Sequence, residues 1–275
     1  MRILFATDLH GRTSLYRAMF TLACRARAGA VLLGGDLLPQ ARSPWGQVQY
    51  VQGEFRSLLA SFQAEAGVPV FAVLGNHDWA AARPALAVLE RQGLLRLIDG
   101  AVADLGDGWQ VVGYSCVPVT PFPLKDHERR DLPDDALPEG RAWVSGANRA
   151  VEVDARRWLR ELPSIAEELE ALPRPRDPAR SVYVVHGPPH ATALDRTGDG
   201  LSVGSRALRA FLAREQPALA LFGHIHEAPW VSGRYWDHVG RTLCLNPGQG
   251  EPLHAVLLDT EDPEGSLQHT LLQRR

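Results

Sequence analysis

Short apolar runs recur along the chain, and five of them stop abruptly at polar residues. Arg2–Thr7 leads into Asp8-Leu-His10, and Ala30–Leu33 into Gly34-Gly-Asp36. Val70–Leu74 leads into Gly75-Asn-His-Asp78, Ser181–Val185 into His186, and Ala218–Phe222 into Gly223-His-Ile-His226. Runs of this length, bounded by glycine and polar residues, read as buried strands. Between them the period changes to that of a helix. Leu15, Ala18, Met19, Leu22, Ala23 and Ala26 share one face, with Ser14 as the expected cap and Gly29 as the stop. Pro39, Pro44 and Trp45 mark a looser connection. Phe55, Leu58, Leu59 and Phe62 then form a second face that ends at Gly67, and a third helix is expected from about Pro84 to Gly93. This alternation predicts βαβ units and a mainly parallel sheet.

From Leu94 the rhythm shortens. Leu94–Ile98, Ala101–Leu105 and Trp109–Cys116 read as strands joined by Asp99-Gly100 and Gly106-Asp-Gly108, which are hairpin signals. Residues 118–150 are rich in proline and charge and read as an irregular surface excursion. A helical pattern through Trp158, Leu159, Leu162, Ile165 and Leu169 breaks at Pro163, and 173–178 reads as a loop. A helix through Leu208, Phe211 and Leu212 separates the last two of the five runs. Thr242–Leu245, His254–Asp259 and Leu267–Leu272 read as further short strands. The first and last thirds share one rhythm, so a single α/β domain over 1–275 is expected.

In open α/β sheets, ligands bind beyond the carboxyl ends of the strands. If the five strands are neighbours, their endings gather carboxylates, imidazoles and one carboxamide at one edge. Desolvating so many polar groups is costly unless cations pair with them. Two metal ions sharing one carboxylate would satisfy the set. Imidazole and oxygen donors without thiolate suit Mn, Fe, Zn or Co rather than an all-oxygen Ca²⁺ or Mg²⁺ cage. Each ending alone has a plainer reading: a hydrogen-bonded loop pair, a turn, a helix cap at Asp78, a buried histidine. Five in succession, each after an apolar run, are hard to obtain by chance.

Together Asp8-Leu-His10, Gly35-Asp36, Gly75-Asn-His-Asp78, His186 and Gly223-His-Ile-His226 resemble the signature of the calcineurin-like metallophosphoesterases. The resemblance implies a four-layer α/β/β/α sandwich around a binuclear centre. It implies that Asp8, His10 and His226 hold one metal, that Asn76, His186 and His224 hold the other, and that Asp36 bridges them. His77 would face the substrate. The Ser/Thr protein phosphatases of this superfamily carry an Arg in the second block and a Glu after Asn-His. Here Asp36 is followed by Leu-Leu-Pro39, and His77 by Asp78. This points to the phosphodiesterase-like branch, near the small prokaryotic phosphoesterases.

The chemistry expected is hydrolysis of a phosphodiester by a metal-bridging hydroxide, with His77 as general acid and Asp78 either orienting it or capping the next helix. The alternatives are a phosphomonoesterase acting on a small metabolite and a non-catalytic scaffold for protein partners. A binuclear amide or lactone hydrolase is disfavoured, because the first block is Asp-x-His, not His-x-His, and Asn76 is a candidate ligand. Lys125, Arg129 and Arg130 would bind phosphate only if they reach the pocket; otherwise they lie on a solvated loop. His190 is a candidate pocket-lining group. The remaining properties narrow the partners. Net charge is −3 with no Lys/Arg block, so no general nucleic-acid binding is expected. No run is long enough to span a bilayer, and the start does not resemble a signal peptide. Cys24, Cys116 and Cys244 form no CxxC pair and read as reduced, buried thiols. A cytoplasmic location is the expectation that follows.

Overall fold

The computed structural model describes residues 1–146 and 149–273. The first half supplies β1 (Arg2–Ala6), α1 (Thr13–Ala26), β2 (Ala30–Leu33), α2 (Pro44–Tyr50), α3 (Arg56–Ala66), β3 (Val70–Ala72) and α4 (Arg83–Arg91). It continues with β4 (Arg96–Leu97), β5 (Val102–Gly106), β6 (Trp109–Tyr114), β7 (Val117–Pro118) and β8 (Glu128–Arg129). Then come β9 (Arg141–Ser145), β10 (Ala150–Asp154), α5 (Ala155–Glu161), α6 (Ile165–Ala171), β11 (Ser181–Val185), α7 (Arg206–Glu215) and β12 (Leu219–Leu221). The chain closes with α8 (Ala228–Ser232), β13 (Trp236–Val239), β14 (Thr242–Leu245), β15 (Val256–Asp259) and β16 (Gln268–His269).

Two six-stranded mixed sheets result, in the orders β16-β15-β1-β2-β3-β4 and β13-β14-β12-β11-β6-β5. In the first, β1 to β4 run parallel, with β15 antiparallel to β1 and β16 antiparallel to β15 on one side; in the second, β14, β12, β11 and β6 run parallel between antiparallel β13 and β5. Strand side chains alternate between faces. Leu4, Ala6, Val31 and Leu33 therefore pack outward against α1, α3 and α4. Ile3, Phe5 and Leu32 point inward, where they meet Val182, Val184, Leu219 and Leu221 of the second sheet. The outer face of that second sheet, through Tyr183, Val185 and Ala220, packs under α6 and α7. The expected α/β/β/α sandwich is therefore present. No helix among the described residues is long and apolar enough to cross a membrane.

Several local expectations need correction. Helix α1 begins at Thr13, and the Ser14 hydroxyl donates to Glu251 Oε1 (3.1 Å) instead of capping it. The stretch after Pro44 is helical, with proline in the first turn where its missing N–H costs nothing; a π-helical turn, Val51–Phe55, links α2 to α3. Arg96–Leu97 pairs parallel with β3, so the Asp99-Gly100 turn makes no hairpin. It carries the chain from one sheet to the other: Gly100 N–H donates to Gly113 O (3.0 Å), and Asp99 Oδ1 accepts from Ser115 N–H (2.9 Å). The 118–150 excursion is also built rather than irregular. It holds the parallel pair β7–β8 and the antiparallel β9–β10. Some of its charges turn inward: Lys125 Nζ meets Glu128 Oε2 at 2.7 Å with both side chains buried, while Glu139 and Arg141 stay exposed.

Candidate metal centre

The loops after β1, β2 and β3 in one sheet meet those after β11 and β12 in the other. Backbone bonds align them: Asp8 N–H donates to Gly35 O (3.0 Å), His10 N–H to Asp36 O (2.8 Å), and Gly223 N–H to His186 O (2.9 Å). Side chains cross between sheets as well. His186 Nδ1 lies 2.8 Å from Gly34 O, and His224 N–H donates to Asp8 Oδ2 (3.0 Å). Two glycines permit this closeness. A Cβ on Gly75 would strike the Asp36 carboxylate and backbone nitrogen, and one on Gly223 would strike Thr7 and Asp8. Asp8, His10, Asp36 and His224 all have φ between 46° and 66°. Such conformations cost of order 1–3 kcal/mol each and persist where surrounding structure fixes them.

Two groups of ligand atoms emerge. Those of Asp8, His10, Asp36 and His226 lie within 4.8 Å of one another. In the second group, His186 Nε2 lies 3.1 Å from Asn76 Oδ1 and 3.6 Å from Asp36 Oδ1, and the His224 ring centre is 5.3 Å from that of His186. Asp36 faces both groups, its other oxygen 3.7 Å from His10 Nε2.

The donor set fits metal ions. Both His10 ring nitrogens and Asp36 Oδ2 are buried without a hydrogen-bond partner, although such groups are normally satisfied. Gly34 O can only accept, so His186 Nδ1 carries the proton. In the neutral ring, Nε2 then turns a lone pair toward the Asn76 oxygen, an arrangement that calls for a cation between them. The electrostatics agree. Burial alone would raise the Asp8 carboxyl, but His226 beside it outweighs burial and holds it at about 2. Asp36 is likewise buried, yet His186 and His10 hold it well below the usual carboxylate range. Burial would depress His186; Asp36 overrides this and lifts it to about 9, a proton standing where a cation belongs. Burial keeps His10 below its ordinary value, and burial with the charge of His186 pushes His224 down to about 3. His226 is raised in the same way as His186, Asp8 outweighing its burial, so a metal ion would take the place of the protons that the two carboxylates draw onto these rings.

His77 stands at the rim. Its backbone N–H donates to Asp36 Oδ1 (2.8 Å), and its ring lies between His10 (5.6 Å) and Phe122 (4.9 Å). With Asp36, His224 and His226 it lines a cavity of about 330 Å³. Asp78 takes neither role expected of it. It is fully buried, and its oxygens accept from Leu37 N–H (3.0 Å), Leu38 N–H (2.9 Å) and Gly75 N–H (3.0 Å). It clamps the second loop to the third, while Trp79 and Ala82 occupy the cap positions that follow.

Lys125, Arg129 and Arg130 do not reach the cavity. Lys125 is committed to Glu128, Arg129 Nε to Glu168 (2.9 Å), and Arg130 to the carbonyls of Pro133 and Leu162. His190 lies outside it too, 3.6 Å from Asp195. Sequence reasoning missed Asn246. Fully buried, its Nδ2 donates to Leu194 O, Gly223 O and Ile225 O, and its Oδ1 accepts from Gly248 N–H (2.9 Å). It holds the His224-Ile-His226 loop in place. The signal was available: Thr242–Leu245 is a sixth apolar run that ends in a polar side chain and Pro-Gly.

The calcineurin-like phosphoesterase family model matches residues 1–228. No curated protein matches the chain. Among solved structures, TT1561 of Thermus thermophilus aligns with a TM-score of 0.62 at 17% identity, covering 98% of this chain and 97% of that one. An archaeal phosphodiesterase aligns at 0.48 and 12% identity, covering 99% and 100%. A dimetal phosphatase from Danio rerio aligns at 0.49 and 12%, covering 93% and 92%.

Proposed function

The chain belongs to the calcineurin-like phosphoesterases, and from that premise we propose that it hydrolyses a phosphodiester at a pair of divalent metal ions. Asp8, His10 and His226 would hold one ion and Asn76, His186 and His224 the other, with Asp36 placed to serve both. The observation that carries the reading is the placement of Asp36, whose two oxygens address separate imidazoles at 3.7 and 3.6 Å. Mn, Fe, Zn and Co all suit these donors. When bound, such ions supply Lewis acidity, which acidifies water and offsets charge developing on the phosphoryl oxygens.

The chain's own residues do the rest. Asn76 contributes an oxygen without adding negative charge to a site that already holds two carboxylates. The Gly34 carbonyl fixes the His186 tautomer so that Nε2 stays available. His77 is outside both ligand groups and reaches the cavity, so it donates the proton to the departing oxygen. The cavity favours a diester over a monoester. Beyond the site's own imidazoles and Asp36, its lining is Pro118, Val119, Pro121, Phe122, Val203 and Ile225 with Thr120, Thr197 and Glu227, and it has no Lys or Arg. The second negative charge of a monoester would meet no protein cation there, whereas the extra ester group of a diester meets an apolar wall.

The test is His77→Ala with metal content measured alongside. Turnover of an alkyl diester should fall by roughly 10²–10⁴-fold, and by less for a p-nitrophenyl leaving group, which needs no proton. Metal content should stay at the wild-type level. Undiminished turnover of the alkyl diester, or loss of metal, overturns the role given to His77.

A further inference from the structure

Two cavities meet at His77. One, about 330 Å³, lies over the ligand side chains; the other, about 570 Å³, lies behind Phe122 among Ala41, Arg42, Trp79, Leu124 and Trp143. His77 and Phe122 line both. The imidazole assigned to protonate the departing oxygen therefore sits on the partition. A group leaving phosphorus on the His77 side has the second cavity directly beyond it.

That second cavity is preformed. Its walls come from four separate segments of the chain, around residues 40–42, 77–79, 122–124 and 143, and hydrogen bonds join them. Trp79 Nε1 donates to Ala41 O (3.0 Å), Trp143 N–H to Pro123 O (2.8 Å), and Lys125 N–H to Trp143 O (2.9 Å). Asp126 accepts from both Ala80 N–H and Ser145 N–H, each at 2.8 Å. Beneath the partition, Lys125 Nζ donates to Thr120 O (2.9 Å), Phe122 O and Glu128, and Glu128 in turn accepts from Thr120 N–H. Phe122 is thus held against His77 by a buried ion pair. The lining is aromatic. Trp143 is 41% exposed and Phe122 44%, and neither is covered by another part of the chain to the extent usual for such residues. Trp79 is buried and spends its indole N–H on Ala41, so it presents carbon to the groove. Arg42, exposed at the edge, makes no hydrogen bond or ion pair among the described residues.

We propose that this groove is a leaving-group subsite and that it selects phosphodiesters whose departing alcohol carries a flat aromatic ring of the nucleobase kind. The ring stacks against Trp143 and Phe122, with Arg42 within reach of its polar edge. In the reaction the phosphorus–oxygen bond to that alcohol breaks, and water supplies the new oxygen on phosphorus. His77 gives its proton to the departing oxygen, so the products are an alcohol and a phosphomonoester. The proposal rests on the phosphodiester reading above.

Two measurements on the full chain test it. The first needs no catalysis: binding of deoxyadenosine by calorimetry. The wild type should bind it, Trp143→Ala should weaken binding by about fivefold or more, and Trp143→Phe should restore most of it. Trp45→Ala, an exposed tryptophan outside the groove, should bind as the wild type does. No binding by the wild type, or equal binding by Trp143→Ala, overturns the proposal. The second compares a deoxyadenosine dinucleotide with its analogue lacking the base on the leaving nucleoside. The base should raise kcat/KM by about fivefold or more in the wild type and by much less in Trp143→Ala. Equal rates in the wild type overturn the proposal. Should bis-p-nitrophenyl phosphate and both dinucleotides all resist hydrolysis, the diesterase reading fails, and the deoxyadenosine measurement still decides the groove.

Discussion

Replacing Asp78 by alanine separates the backbone clamp found in the structure from the orienting role toward His77 that the sequence suggests. Its carboxylate accepts from three buried backbone N–H groups, those of Leu37, Leu38 and Gly75, at 2.9–3.0 Å. Each donor left without a partner in a buried site costs about 1–3 kcal/mol. Three such losses, partly offset by loop relaxation and water entry, should total roughly 3–5 kcal/mol. For a chain of this size each kcal/mol lowers Tm by roughly 2–4 °C. Thermal unfolding of the chelator-treated protein should therefore show Tm lower by roughly 6–20 °C. Metal affinity should weaken with it, because the clamp holds Asp36 and Asn76 in register. A variant that unfolds at the wild-type temperature, binds metal normally and has lost turnover would refute this. Asp78 would then be acting on His77 directly.

The buried Lys125–Glu128 pair gives a second stability test. Lys125→Met leaves Glu128 fully buried and uncompensated, which should cost about 3–5 kcal/mol in urea unfolding; Glu128→Gln added to it should recover part of the loss. A change below about 1 kcal/mol would mean that the pair is solvated. The cysteines give a pH-dependent test. Burial pushes the Cys244 thiol up to about 12 and Cys116 higher still. A raised thiol pKa keeps the group neutral, and only the thiolate reacts. At pH 8 a disulfide reagent should therefore titrate at most Cys24, the partly exposed one, in the native protein, and all three thiols after unfolding. Rapid native modification of Cys244 would contradict its burial.

The site was legible because its residues sit where apolar runs end. The run shows the strand, and the strand end shows where the polar group emerges. Asp8, His10, Asp36, Asn76, His186, His224 and His226 follow from that single pattern, and the structure gathers them. Asn246 follows from the same pattern, but asparagine before Pro-Gly also reads as a turn, which masks it. Asp78 was ambiguous for a physical reason. Its partners Leu37 and Leu38 lie about 40 residues away in the chain, and they are backbone groups that carry no signal in their side chains. The 118–150 segment misled for a related reason. Lys125 and Glu128 at i,i+3 look like a solvated charge run, and only tertiary burial converts them into a rivet beneath Phe122. The Asp99-Gly100 turn has hairpin chemistry, yet its strands join different sheets, a choice made by packing rather than by the turn.

The central claim is that two ions share Asp36. Metal-stripped protein should be titrated with Mn²⁺ and with Zn²⁺, recording ions bound per chain together with hydrolysis of bis-p-nitrophenyl phosphate. Two equivalents should bind, activity should appear as the second site fills, and Asp36→Asn should weaken both sites together. Full activity at one bound equivalent, or an Asp36→Asn variant that keeps one site intact at wild-type affinity and remains fully active, would contradict the account.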